Sequence, residues 1–187
     1  SVQTTFQIQN KYIVSPIKSG LMVIHQHLAH QRVLYEELLR HITVQEATSQ
    51  QLLFPIELNL SNRQWGVLEP LEEALLQTGF VFEKQEKGGI TVSGIPVGIP
   101  ESNVAPILQQ LADDLLAEVP DAGFSLNDVL AKSLARSMAV RSGTPLNKEA
   151  REHLIHQLFA CKEPSVSPEN KPVLITLEGT DLDAKFI

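Results

Sequence analysis

Apolar and polar positions alternate at the start of the chain. Residues 6–14, Phe-Gln-Ile-Gln-Asn-Lys-Tyr-Ile-Val, begin with a period of two and predict a strand. The stretch from Ser15 to Gly20, broken by Pro16, predicts a turn, and the apolar run Leu21 to Ile24 pairs back as a buried strand. That run stops abruptly at His25-Gln26-His27. Apolar positions Leu28, Leu34, Leu38 and Leu39 then predict a helix from about His27 to Arg40. Polar groups at a strand's end, entering a helix, sit on rigid elements yet stay open to solvent. The polar stretch from Thr43 to Gln51 reads as a linker.

A second unit begins at Leu52. Phe54, Ile56, Leu58 and Leu60 alternate with Pro55, Glu57 and Asn59, as in a half-buried strand. Ser61 with Gln64 reads as a capping box for a helix carrying Trp65, Leu68, Leu71, Leu75 and Leu76, kinked by Pro70 and closed by Gly79. Residues 80–85 and 90–95 form a hairpin about Lys87-Gly88-Gly89. A helix over about 103–117 follows, with Val104, Ile107, Leu108, Leu111 and Leu115 on one face. Strand, helix, strand, strand, helix is the order of a small two-layer α/β sandwich.

Beyond a loop over Pro120–Gly123, Ser125 caps a helix with Leu126, Val129, Leu130, Leu134 and Met138, stopped near Gly143. Asn147 caps another helix, with Leu154, Leu158 and Cys161 at i, i+4 and i+7. A loop from Pro164 to Pro172 leads into a strand, Val173 to Leu177. The whole is an α+β chain with no internal repeat.

Composition narrows the classes. At 187 residues and 43% hydrophobic the chain can bury a real core, and no apolar run approaches the roughly 18–20 residues needed to span a bilayer. The opening Ser-Val-Gln-Thr-Thr has neither the basic start nor the apolar run of a secretion signal, and without an initiator Met the chain reads as a piece of something longer. One cysteine excludes an internal disulfide and suits the cytoplasm. A net charge of −7 repels phosphate backbones, and 5% aromatics is too few for a base-stacking platform. By itself the chain is expected to bind DNA weakly or not at all.

The segment from Gly20 to Leu38 resembles the C-terminal domain of the MutL family of mismatch-repair proteins. There the corresponding place reads Asp-Gln-His-Ala, two residues, Glu, four residues, Glu, and forms part of a nicking endonuclease site. Gln26, His27 and Glu36 fit that pattern, whereas the first Asp is His25 and the first Glu is Gln31. Two further family motifs have also changed. An Ala-Cys-Arg-type helix motif reads Ala135-Arg136-Ser137, with Arg136 in place of the Cys. A Cys-Pro-His-Gly-Arg-Pro loop reads Ser167-Pro168-Glu169-Asn170-Lys171-Pro172, with Ser167 and Glu169 in place of Cys and His. Thiolate and imidazole suit zinc, a neutral hydroxyl does not, and an Arg at the metal position opposes a cation. The resemblance therefore implies an architecture kept and a nuclease lost, with no metal or other cofactor in this domain and no catalytic residue.

The remaining candidates have ordinary structural roles on this reading. His25, His27 and His30 are polar residues left at a strand–helix junction rather than a rewired metal site. His153 and His156, at i and i+3, are a solvated face. Cys161 lies on an apolar stripe and is expected in the core rather than as a nucleophile.

One family feature is intact. Gln50-Gln51-Leu52-Leu53-Phe54-Pro55 matches the Gln-x-x-hydrophobic-x-Pro segment that resembles the peptide by which many proteins bind the bacterial sliding clamp. Gln50 would satisfy a pocket's polar rim, Leu53 fill its interior, and Pro55 limit the entropy lost on docking, with Leu52 and Phe54 adding apolar bulk. The alternative is that this is an ordinary strand with a polar preface.

The element order implies two lobes. Residues 1–50 and 131–187 would form an outer dimerisation subdomain, and residues 51–130 an inserted regulatory one. The implied role is a cytoplasmic homodimer that holds two N-terminal ATPase arms together and docks repair partners. The enzymatic alternative is a divergent metal-dependent nicking endonuclease using His25, His27, Glu36 and Glu169.

Overall fold

The structure is a computed structural model describing residues 4–44, 48–86, 88–117 and 125–187. The predicted linker over 43–51 lies partly outside these residues, as do Lys87 of the hairpin turn and the loop over 120–123. The chain opens with strands β1 (Phe6–Ile8), β2 (Tyr12–Ile17) and β3 (Gly20–His25), then helix α1 (Gln26–Val44). Next come β4 (Ser49–Leu58), α2 (Asn62–Leu68), a 3-10 turn over 69–71, α3 (Glu72–Gln77), β5 (Val81–Lys84), β6 (Ile90–Pro96), α4 (Val104–Ala117) and α5 (Leu126–Met138). The chain closes with α6 (Lys148–Ala160), β7 (Leu174–Glu178) and α7 (Gly179–Asp183). The fold class is α+β, with two antiparallel sheets ordered β1-β2-β3-β7 and β4-β6-β5.

Two compact units divide the chain, one comprising residues 1–34 and 139–187 and the other residues 35–138. Residues 51 and 130, taken from sequence as the edges of the insertion, fall inside the second unit.

In the first unit, one face of the four-stranded sheet packs Ile13 and Ile24 against Ala29 and Val33 of α1 and Leu154, Ile155 and Leu158 of α6. The single strand expected over 6–14 is instead a hairpin. Gln9 and Asn10 take φ of 53° and 48°, and Lys11 N donates to Ile8 O at 3.0 Å. The polar run Gln-Asn-Lys supplies the turn, since Asn tolerates the left-handed region at low cost. The turn expected over 15–20 shrinks to Lys18-Ser19, because β2 continues through Pro16. Proline is accepted there because β1 pairs only as far as Val14, so that Pro16 has no strand on its other side to receive an N–H. Gly20 is needed where β3 meets β7, as a Cβ would stand 2.0 Å from Leu177 O.

In the second unit the capping box is formed: Ser61 Oγ accepts from Gln64 N at 3.2 Å, and Gln64 Oε1 accepts from Ser61 N at 3.0 Å. Pro70 does more than kink the expected helix. It sits in the 3-10 turn that separates α2 from α3. Gly79 closes α3 with φ +105°, close against Thr48 O and Pro96. Ile90, Val92, Val104, Leu108, Leu111, Leu130 and Leu134 are fully buried. The alternation proposed for Phe54 to Leu60 holds for Leu58 and Leu60 and fails at Phe54, which is exposed. The cause is a register shift in β4 between Gln51 and Ile56.

Candidate functional site

Helix α1 starts where β3 ends, and its first two turns carry most of the sequence candidates. Gln26 is fully buried. Its Nε2 donates to Arg141 O at 3.0 Å and Thr144 O at 3.1 Å, while its Oε1 accepts from Gln7 Nε2. Gln7 in turn donates to Thr144 O and accepts from Leu146 N. Two amides therefore stitch the 141–146 segment onto the sheet and helix.

The histidines are equally committed. His27 Nδ1 lies 2.9 Å from Val140 O, and since a carbonyl only accepts, that nitrogen carries the proton. His30 Nδ1 accepts from Val140 N at 2.8 Å, so its proton is on Nε2 when neutral. Both polar groups of one backbone residue are thus held by two imidazoles. Burial, followed by the nearby charges of His27 and His153, pushes the His30 pKa down to about 4. His25 stacks edge-on against Tyr12 with centroids 5.5 Å apart, and its Nδ1 accepts from Leu28 N at 3.4 Å. Its pKa is lowered by burial and then by Lys11, His27 and Lys171, with a backbone hydrogen bond opposing.

The loop after α6 packs against the same part of α1. Gln31 Nε2 donates to Glu169 Oε2 at 2.8 Å, joining two positions where the resemblance expected metal chemistry. Ser167 is fully buried, and its Oγ accepts from Glu169 N and Lys171 N. Arg32, 4% exposed, donates to Val166 O at 2.7 Å and Ser167 O at 3.0 Å, and pairs with Glu163 at 3.6 Å. Sequence reasoning missed Arg32, Gln7 and Val140. Arg32 left a signal, a charge at i+4 and i+3 from Leu28 and Ala29 on the helix's buried side. Gln7 left none.

Glu36 stands further along α1, past the boundary between the units. Arg136, expected to oppose a metal, is on α5 and donates to Asp114 Oδ2 at 2.8 Å, which also accepts from Ser133. Burial raises the Asp114 pKa, but the hydrogen bonds from Ser133, Gln110 and Arg136 outweigh it and leave the group below its ordinary value. His153 and His156 are exposed. Cys161, at the end of α6, is half-buried and packed against the core of the first unit, and its thiol donates to Gln157 O at 3.4 Å.

Several of these donors are already engaged within the first unit. The Ser167 hydroxyl already receives two backbone N–H groups, the His30 Nδ1 lone pair is taken, and Gln31 offers an amide to Glu169. Among the described residues no three His, Cys, Asp or Glu side chains are grouped to hold one.

The Gln50–Pro55 segment lies on β4. Gln51 pairs with Gly94 and Ile56 with Val92, so the four residues 52–55 stand opposite Ser93 alone. Leu52 turns inward at 5% exposed, whereas Leu53 and Phe54 are 83% and 75% exposed. Gln50 stays in the ladder opposite Ile95, and Pro55 is exposed.

The chain is α+β, with a discontinuous first unit and a second unit that carries a three-stranded sheet. Comparison with known proteins makes that class specific. The MutL C-terminal dimerisation domain matches residues 5–146. The chain is 55% identical to the DNA mismatch repair protein MutL of Christiangramia forsetii and 51% identical to that of Flavobacterium psychrophilum, over 98% of its length in each case. It is 32% identical to that of Parabacteroides distasonis over 97%. It spans about 30% of the length of these relatives. The chain belongs to the family of MutL C-terminal dimerisation domains. Among the described residues, no helix is long and apolar enough to cross a membrane.

Proposed function

We propose that this chain is the part of a cytoplasmic DNA mismatch-repair protein that pairs two copies, holds their N-terminal ATPase arms together, and docks repair partners without cutting DNA itself. The observation that carries the reading is the outer face of the four-stranded sheet. Strand register sets Phe6, Val14, Val23 and Ile175 in one row, with Pro16, Leu21 and Leu177 in another; Val14 is buried within its row, and the exposed apolar side chains lie on the outer strands. Phe6, Ile8, Ile175 and Leu177 are 47%, 45%, 52% and 36% exposed. An apolar sheet face left open in a dimerisation domain suits a second copy of itself in a two-fold pairing, burying upwards of about 2,000 Å² in total. Light scattering at micromolar concentration should find a dimer, and Phe6→Asp with Ile175→Asp should yield a folded monomer. A monomeric wild type would overturn the pairing.

The bulge supports clamp docking. A short apolar segment pinned at both ends by the ladder is presented to a partner with little ordering cost. Gln50→Ala with Leu53→Ala should weaken binding to a sliding clamp while leaving the dimer intact, and equal affinities would remove the clamp as a partner. Loss of the nuclease rests on the hydrogen bonds that occupy Ser167, Gln31, Glu169 and His30. No metal or other cofactor is expected here. Manganese-dependent nicking abolished by His27→Ala or Glu36→Ala would restore the enzymatic reading.

A further inference from the structure

Residues 175–187 run from β7 through α7 into a closing turn, and every one of them is exposed. Helices α1 and α6 of the same unit each bury one side, whereas α7 buries no residue at all. Its backbone is nevertheless held. Gly179 N donates to Ser19 O at 2.8 Å and Glu178 N to Asp181 Oδ2 at 2.9 Å. The N–H groups of Ala184, Lys185 and Phe186 donate to Thr180 O, Leu182 O and Asp183 O. This scaffold carries Leu182, Phe186 and Ile187, of which Phe186 is 89% exposed and Ile187 wholly so. Grouped apolar side chains on held backbone, with nothing against them, are a contact surface.

Continuity, area and charge all point to a second copy of this chain as the occupant. Ile175 and Leu177, on the outer sheet face that the pairing reading uses, run straight into α7. That face alone is too small. Phe6, Ile8, Ile175 and Leu177, each a third to a half exposed, fall well short of the roughly 1,000 Å² per copy that an obligate dimer buries. Phe186 by itself adds on the order of 150 Å². Residues 178–187 hold Glu178, Asp181 and Asp183 against Lys185, net −2, while the rest of the first unit holds eight basic and four acidic side chains, net +4. Residues 35–138, with six basic and fifteen acidic, would repel the segment instead.

We propose that residues 179–187 are a dimerisation arm, whose Leu182, Phe186 and Ile187 pack on the first unit of a second copy, each copy giving its arm to the other. The proposal rests on the pairing reading and adds to it the segment that completes the contact. The sheet face supplies the centre of the interface, and the arm supplies the apolar area that the face lacks. The acidic side chains of the arm set its direction, towards a basic body and away from the acidic unit.

The test is sedimentation equilibrium of the 187-residue chain over a dilution series, which gives the dimer dissociation constant. A substitution in the arm acts twice in a two-fold dimer, so Phe186→Asp with Ile187→Asp should raise that constant at least about a hundredfold. Thermal melting by circular dichroism, in samples dilute enough to be monomeric, should be unchanged. Phe186→Leu should keep most of the affinity. Asp183→Lys should weaken pairing several-fold at low salt and much less at high salt. Amide exchange at Lys185 and Phe186 should slow with concentration, in step with dimer formation. Val97→Asp, at an exposed apolar position of the second unit, should leave the dimer as it is. An unchanged constant in the double variant would overturn the arm and leave the pairing reading standing. So would an equal loss in Val97→Asp, or exchange that is slow at every concentration and so returns the arm to its own chain. A monomeric wild type would instead sink the pairing reading itself.

Discussion

The strand–helix junction at 25–32 and the β4 bulge at 52–55 handle their side chains in opposite ways. At the junction, Gln26, Gln31 and Arg32 are polar and buried, and each has its hydrogen bonds inside the unit. At the bulge, Leu53 and Phe54 are apolar and face solvent. Burying a polar group is tolerated only when it is paired, so the junction's polar residues act as fasteners. Exposed apolar side chains on a pinned segment do nothing for the fold. The contrast separates residues kept for structure from residues open to a partner, and each can be tested by its effect on stability.

The largest effect is expected at Gln26. Gln26→Ala removes hydrogen bonds to Arg141 O, Thr144 O and Gln7 Nε2 inside a packed site, and should cost about 3 kcal/mol in urea denaturation. Acid should act next, through His30. Its folded pKa of about 4 lies below the ordinary 6.5, so the unfolded chain binds the extra proton first. Stability should therefore be full above pH 6.5 and fall as pH drops towards 4, by on the order of 2–3 kcal/mol. His30→Gln, which keeps an acceptor for Val140 N, should flatten that part of the profile. Gln31→Glu sets a second carboxylate against Glu169 and should cost about 1–2 kcal/mol at pH 7, with the deficit relative to wild type shrinking at pH 5. Smallest of all, Leu53→Ser with Phe54→Ser should change stability by less than about 0.5 kcal/mol. A large loss there would mean the bulge serves the fold and would erase the contrast.

Much of the fold was legible in sequence because its signals are local. The Ser61–Gln64 capping box, the Asn147 cap, the break at Pro70 and the apolar stripes of α4 and α5 depend on residues within a turn or two of each other. The errors also have local causes. The alternation around Gln9-Asn10 predicts strand although the pair carries a turn, and Pro16 predicts a break although its strand is an edge at that point. At the candidate site the residues could be named, since their positions follow family motifs, but their use could not.

That Gln31 meets Glu169, that His27 and His30 share Val140, and that Arg32 closes on Ser167 are contacts between residues more than a hundred positions apart. Local pattern carries no information about such pairs. Leu53 and Phe54 make the same point from the other side. By alternation Phe54 belonged in the core with Leu58. Which of Leu52, Leu53 and Phe54 turned inward was settled only by where β6 pairs with β4 and where it skips, because a strand shifted by one residue exchanges its faces.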